Sequence, residues 1–143
     1  MCDKCGYILY ENPIVGVAAI VMEDGKILLG RRAANSTFPG YWCIPCGYVE
    51  YDEDIYEAVV RECQEETGLV IKQESVFTAL SNFHNPENHT VGIWFTAEVT
   101  GGKLQAGDDI DEVGFFELDE IPPLAFPTDS EIIERLKRVR NIR

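Results

Sequence analysis

The chain has 143 residues, 45% of them hydrophobic, a length and apolar share that suit one domain around one core. Its formal charge of −13 argues against adhesion to nucleic acid or anionic membranes, because positive charge gathers only at the carboxyl end. No apolar run reaches membrane-spanning length and the opening Met1-Cys2-Asp3-Lys4-Cys5 is not a secretory apolar run, so the expected location is the cytoplasm, with no nucleic-acid or membrane partner. Five cysteines, an odd number without an export signal, speak against a disulfide framework and for free thiols or a metal site.

Residues 14–22 (IVGVAAIVM) and 26–30 are β-rich apolar runs, and the Asp24-Gly25 between them predicts a hairpin turn. Residues 41–45 predict a third strand, ended by Pro45 and Gly47. From Glu53 to about Glu66 the period becomes helical: Tyr56, Val59, Val60 and Cys63 form the expected buried stripe, and Gly68 stands where a left-handed C-cap is wanted. Residues 69–71, 76–83, 91–99 and 113–118 follow as strands, with a polar loop over 84–90. Thr128 to Glu131 has capping-box spacing, and Ile132, Ile133, Leu136 and Val139 predict a closing amphipathic helix. Strands on both sides of a central helix, with a second helix at the end, predict a layered α/β domain.

The chemistry concentrates in residues 47–69. Glu62, Glu65 and Glu66 fall at i, i+3 and i+4, so three like charges crowd one stripe near a helix C-terminus, where the macrodipole also opposes them. Arg61 offsets part of this repulsion, and a divalent cation offsets it best, because hard cations take carboxylate oxygens and leave room for water and phosphate. The alternative is a solvated acidic face, which is what most charge runs are.

The same stretch resembles the Nudix signature: Gly47, five residues, Glu53, seven residues, Arg61-Glu62, an apolar slot held by Cys63, one residue, Glu65-Glu66, one residue, Gly68, and an apolar residue, Leu69. Cys63 is a size-compatible variation, and Cys46 stands where the family usually has a second glycine. Trp42 to Pro45 and Phe115 to Pro122 resemble the segments flanking that box, so the likeness runs from about residue 13 onward. It implies the Nudix fold, a mixed β-sheet sandwiched between helices, over residues 13–143. It also implies divalent-metal-dependent hydrolysis of the pyrophosphate bond of a nucleoside diphosphate linked to another group.

Carried over residue by residue, the resemblance makes Glu62, Glu65 and Glu66 ligands of Mg²⁺ or Mn²⁺. Arg61 orients a glutamate, and Glu53 pairs with the helix or holds a metal through water. The bound cations neutralise the departing phosphate and activate a water, whose proton a carboxylate takes. Glu62 and Glu66 are candidates for that base. Some relatives draw the base from a later loop, here residues 107–112, in which Glu112 is favoured over Asp109.

Cys2-x-x-Cys5-Gly6, with Tyr10 to Pro13, resembles the second half of the zinc ribbon preceding the domain in NADH pyrophosphatase-like members, which makes residues 1–12 a separate segment. Cys43-x-x-Cys46 is a second pair. Three outcomes stay open: Cys2, Cys5, Cys43 and Cys46 close one Zn²⁺ site, two chains share a site, or the thiols are free. Phe83, His84, Trp94, Phe38 and Tyr48 are the candidates for holding a base or ribose, against a core role for the aromatics. The sequence beyond the box resembles ADP-ribose and dinucleotide pyrophosphatases most, with ADP-ribose preferred. NADH, FAD or nucleoside triphosphate hydrolysis is the runner-up, and a non-catalytic nucleotide-binding regulator or a cysteine-based metal module the alternative from another class. A homodimer is the assembly the resemblance suggests.

Overall fold

The computed structural model describes residues 1–82 and 85–142. Its frame starts with β1 (Ile14–Glu23), whose uninterrupted apolar run is explained by burial on both faces. Val17, Ala19 and Val21 point into one core and Ala18 and Ile20 into another, as strand alternation requires. Asp24 (φ 52°) and Gly25 (φ 78°) both adopt positive φ, which makes the predicted two-residue hairpin turn into β2 (Lys26–Arg32).

Among the described residues, seven strands form one mixed sheet. β3 (Trp42–Cys43), β2, β1, β6 (Thr90–Gly102) and β5 (Leu69–Asn82) lie in that order, with β7 (Ile110–Glu117) on β2 and β4 (Cys46–Tyr48) on β1. The β1 to β6 pairing is parallel and the others are antiparallel. Two departures from expectation concern strand boundaries. The two strands expected over 69–71 and 76–83 are, over the described residues 69–82, one long strand, β5, which continues through its polar middle because register shifts at Val70/Ile71, Gln73/Ser75 and Val76/Thr78 absorb the break in alternation. The strand expected over 41–45 is only Trp42–Cys43, and the unpredicted β4 follows Pro45.

Helix α1 (Ile55–Thr67) is capped by Asp54, whose carboxylate accepts from the amides of Tyr56 and Glu57 at 3.2 and 3.3 Å. Gly68 ends it at φ 77°, its amide donating to the Gln64 carbonyl. A Cβ there would collide with the carbonyl of Lys103, so glycine is required on two counts. Val59 and Cys63 are buried as expected, but Tyr56 is 44% exposed: in the first turn its ring edges against Phe95 at 5.2 Å and its remainder meets solvent. α1 covers the face lined by Val17, Ala19, Leu28 and Phe95.

Helix α2 (Pro127–Ile142) covers the opposite face through Ile132 and Ile133, against Ile20, Ile27, Leu29 and Ile44. The sheet therefore lies between two helices, the α/β/α arrangement expected. α2 begins at Pro127, so Thr128 lies within the first turn instead of capping it. Asp129 turns inward and is 2% exposed, where it accepts from the Ile44 amide at 3.0 Å and from Trp94 Nε1 at 3.3 Å.

Candidate active site

Glu62, Glu65 and Glu66 leave α1 in different directions, because a 3.6-residue turn fans i, i+3 and i+4 across about 100°. Glu62 and Glu65 share a cluster with Asp108, each offering an oxygen, all within 4.8 Å of one another. Glu66 falls on the inner side, at i+7 from Val59 and i+3 from Cys63, and is only 3% exposed. Its Oε1 accepts from the Cys46 amide at 2.8 Å. Burial pushes this carboxyl well above its ordinary range, assisted by the nearby Cys43 thiol and by Asp109, while the Cys46 amide opposes the rise.

Arg61 gathers the outer carboxylates. Its Nε and Nη2 donate to the two oxygens of Glu53 at 2.7 and 2.8 Å, and Nη1 donates to Glu62 at 2.8 Å and to Glu65 at 3.3 Å. The guanidinium holds the Glu53 carboxyl at about 2. Glu62 moves the other way, since burial raises it more than Arg61 lowers it. Gly47, on β4, faces this group: a Cβ on it would overlap the Glu62 carboxylate, so a side chain there would push that carboxylate out of its place. Cys46 tolerates a side chain because the sheet register turns its amide, not its Cβ, toward Glu66.

Asp108 arrives from a distant part of the sequence. The segment 103–107 runs along the end of α1 and satisfies its last carbonyls: Gly107 N donates to Glu66 O at 3.1 Å, Gln105 N to Thr67 O at 2.8 Å, and Lys103 N to Gly68 O at 3.2 Å. A Cβ at Gly107 would meet the Glu65 carbonyl at 2.5 Å, so the approach again depends on glycine. The chain then delivers Asp108 and Asp109 to the acidic end of α1. The loop's contribution to the cleft consequently shifts from Glu112 to these two residues. Glu112 lies on β7 opposite Arg31, pairs with it at 2.8 Å and does not line the cleft. Oδ1 of Asp109 is buried and has no hydrogen-bond partner among the described residues.

A cleft of about 1190 Å³ is lined by Glu62, Glu66, Asp108 and Asp109 together with Arg32, Phe38, Trp94, Phe126 and Asp129. Trp94 is thus both cleft lining and core. Phe83 and His84 lie outside the described residues. Cys2 and Cys5 are exposed, Cys43 is buried and Cys46 half-buried. Among the described residues, the acidic group above is the one cluster of three or more side chains with metal-ligand spacing.

Asp108 and Asp129 escaped the sequence reading in different ways. Asp108 has no local signal, because nonlocal backbone bonds place it. Asp129 has one: with Ile132, Ile133 and Leu136 it falls at i, i+3, i+4 and i+7, an acid on an apolar stripe.

Hard oxygen donors on a helix beside a nucleotide-sized cleft form a frame suited to metal-assisted cleavage of a phosphoanhydride. The family model for the NUDIX domain matches residues 12–136, and the chain belongs to the Nudix hydrolases, the class of pyrophosphohydrolases. It is 43% identical over 140 residues to an ADP-ribose pyrophosphatase of Methanocaldococcus jannaschii, covering 97% of this chain and 82% of the relative. It is 30% identical to the NAD-capped RNA hydrolase NudC of Chromobacterium violaceum over 88% of its own length, but spans only 46% of that protein. Among solved structures, a NUDIX hydrolase from Nitrosomonas europaea superposes with a TM-score of 0.85 at 29% identity, over 99% of this chain and 79% of that one.

Proposed function

We propose that the protein hydrolyses the pyrophosphate bond of ADP-ribose, with Glu62, Glu65 and Asp108 holding Mg²⁺ or Mn²⁺. The observation that carries the metal assignment is the convergence of these three carboxylates within 4.8 Å, since such a group calls for a cation to offset its repulsion. When bound, the cation supplies charge neutralisation at the phosphates and a more acidic water.

The chain's own residues supply the rest. Arg61 fixes the rotamers of Glu53 and Glu62. Glu66, with Oε1 held by the Cys46 amide, has Oε2 left to take the proton of the attacking water. Asp109 Oδ1, without a partner among the described residues, is a second acceptor, replacing Glu112 as the loop's contribution. The relative from Methanocaldococcus jannaschii supports ADP-ribose. The chain's strong negative charge supports a small nucleotide over the capped RNA on which NudC is named to act.

The test is a phosphate-release screen with Mg²⁺ over ADP-ribose, FAD, NADH, dinucleoside polyphosphates and nucleoside triphosphates, repeated with Glu66→Gln. ADP-ribose should give the highest kcat/KM and Glu66→Gln should lower it by about 100-fold or more. A higher kcat/KM on another substrate would refute the ADP-ribose choice, and near-parental turnover in the variant would refute the role of Glu66.

A further inference from the structure

Two Cys-x-x-Cys pairs of identical spacing meet opposite surroundings in this fold. Cys43 is buried at the end of β3 and Cys46 half-buried at the start of β4, and the segment between them is anchored through its backbone. The Ile44 amide donates to Asp129 at 3.0 Å, and the Cys46 amide donates to Glu66 at 2.8 Å. A disulfide there would have to move one of those amides, and an oxidant would have to reach a buried sulfur. Cys2 and Cys5 are instead both exposed, on the segment 1–12 that precedes β1. They belong to neither core cluster and do not line the cleft.

Backbone bonds close the turn that carries this outer pair. Gly6 N donates to the Cys2 carbonyl at 2.9 Å, and Cys2 N donates to the Tyr7 carbonyl at 2.6 Å. Gly6 takes φ 74°, a conformation glycine adopts without strain, and so lets the chain double back directly after Cys5. Such a turn brings Cα atoms three residues apart to within about 7 Å, close to the span that a disulfide bridges. The side chains agree with the backbone. The Cys5 thiol is in hydrogen-bonding contact with Cys2, and the amides of Cys5 and Lys4 face the same sulfur. The Cys5 amide does most to lower the Cys2 thiol, followed by the Lys4 amide and the Cys5 thiol. Cys2 is therefore the sulfur that more readily becomes a thiolate, and Cys5 is the thiol waiting beside it.

We propose that Cys2 and Cys5 form a redox-active dithiol that reacts with low-molecular-weight disulfides and closes on itself. The Cys2 thiolate attacks one sulfur of the incoming disulfide, which breaks that bond and releases one thiolate. Cys5 then loses its proton to the released thiolate, and its sulfur attacks Cys2 in the mixed disulfide. The Cys2–Cys5 bond forms and the second thiolate leaves, taking up the proton that Cys2 gave to solvent. The chain has lost two electrons and two protons, and the incoming disulfide has become two thiols. This chemistry is independent of the reading of the cleft.

The probe is cystamine, an aliphatic disulfide whose positive charge suits a chain of net charge −13. The full, reduced chain is treated with it, and intact mass and peptide mapping are followed over time. The parent should become lighter by two hydrogens, with a Cys2–Cys5 bridge, no retained cysteamine, and recovery on addition of dithiothreitol. Cys5→Ser should retain one cysteamine on Cys2, because the thiol that expels it is gone. Cys2→Ser should be modified at Cys5 about fivefold or more slowly than Cys5→Ser is at Cys2, since the amides that favour the thiolate face Cys2. Cys43 and Cys46 should stay reduced throughout, and the melting temperature of the bridged chain should match that of the reduced one. A parent that keeps cysteamine on both cysteines, a bridge between two chains, or a Cys43–Cys46 bridge formed first would overturn the proposal. Equal rates in the two serine variants would overturn the assignment of Cys2 as the attacking sulfur.

Discussion

A Cβ on Gly47 would fall on the carboxylate of Glu62. The helix bearing the acidic cluster and the strand β4 beside it are therefore in contact through an absent side chain. Gly47→Ala must move either the strand, which is tied to β1 at Val17, or the Glu62 carboxylate, which is tied to Arg61. The carboxylate is the softer element. The expected result is a fall of about 100-fold in kcat/KM with a melting temperature lowered by only a few degrees. Steady-state kinetics and calorimetry on the same preparation check this, and parental kcat/KM would refute the positioning argument.

Arg61 makes a two-pronged contact with Glu53 while a third nitrogen reaches Glu62 and Glu65. Lysine keeps the charge but has one nitrogen and no fork, so Arg61→Lys frees the rotamers of at least one partner. Turnover should fall by about 10- to 100-fold, and the Mn²⁺ concentration for half-maximal rate should rise. A metal titration separates this from a purely structural effect, which would lower the rate without moving the metal midpoint.

The sequence made parts of this arrangement legible because their causes are local. The Asp24-Gly25 turn follows from backbone freedom, and the Gly68 cap from the need for positive φ after Thr67. Even the burial of Glu66 is written in its spacing from Val59 and Cys63. Position in the loop favours Glu112 over Asp109, but β7 pairing turns Glu112 onto Arg31, while the bonds of residues 103–107 to the end of α1 bring Asp108 inward. Residues far apart in sequence make those contacts, and no local pattern encodes them. The three-residue β4 was missed for the same reason, since pairing with β1 alone defines it. At Thr128 a local capping signal competed with burial of Asp129, and the tertiary contacts to Ile44 and Trp94 prevailed.

Asp129 predicts how stability varies with pH. Burial raises its carboxyl to about 7 against opposition from the Ile44 amide, Trp94 and Arg32, with Cys46 the further titratable group facing it. The folded state thus binds this proton more tightly than the unfolded chain, whose value is near 3.8. The stabilising contribution is complete below about pH 4 and is lost as pH rises toward 7, on the order of 4 kcal/mol in all. Asp129→Asn removes the titration. Urea midpoints at pH 5 and pH 8 should differ more in the parent than in the variant, and equal differences would refute the buried-acid account.

The five cysteines should separate by reactivity, because the thiolate is the nucleophile and burial opposes its formation. Cys2 and Cys5 are exposed, and the backbone amides of Cys5 and Lys4 lower the Cys2 thiol. Cys43 and Cys63 are buried, and burial pushes Cys63 up to about 11. Cys46 is also raised, first by its bond with the Cys43 side chain and then by burial. An aromatic disulfide reagent at pH 7.5 should therefore modify Cys2 and Cys5 in a fast phase, leaving the other three to react on unfolding. Replacing Cys2 and Cys5 with serine should abolish that phase while leaving the slow one intact. Persistence of the fast phase in that variant would mean that the β3 to β4 segment opens readily, contradicting its firm seating against Glu66 and Asp129.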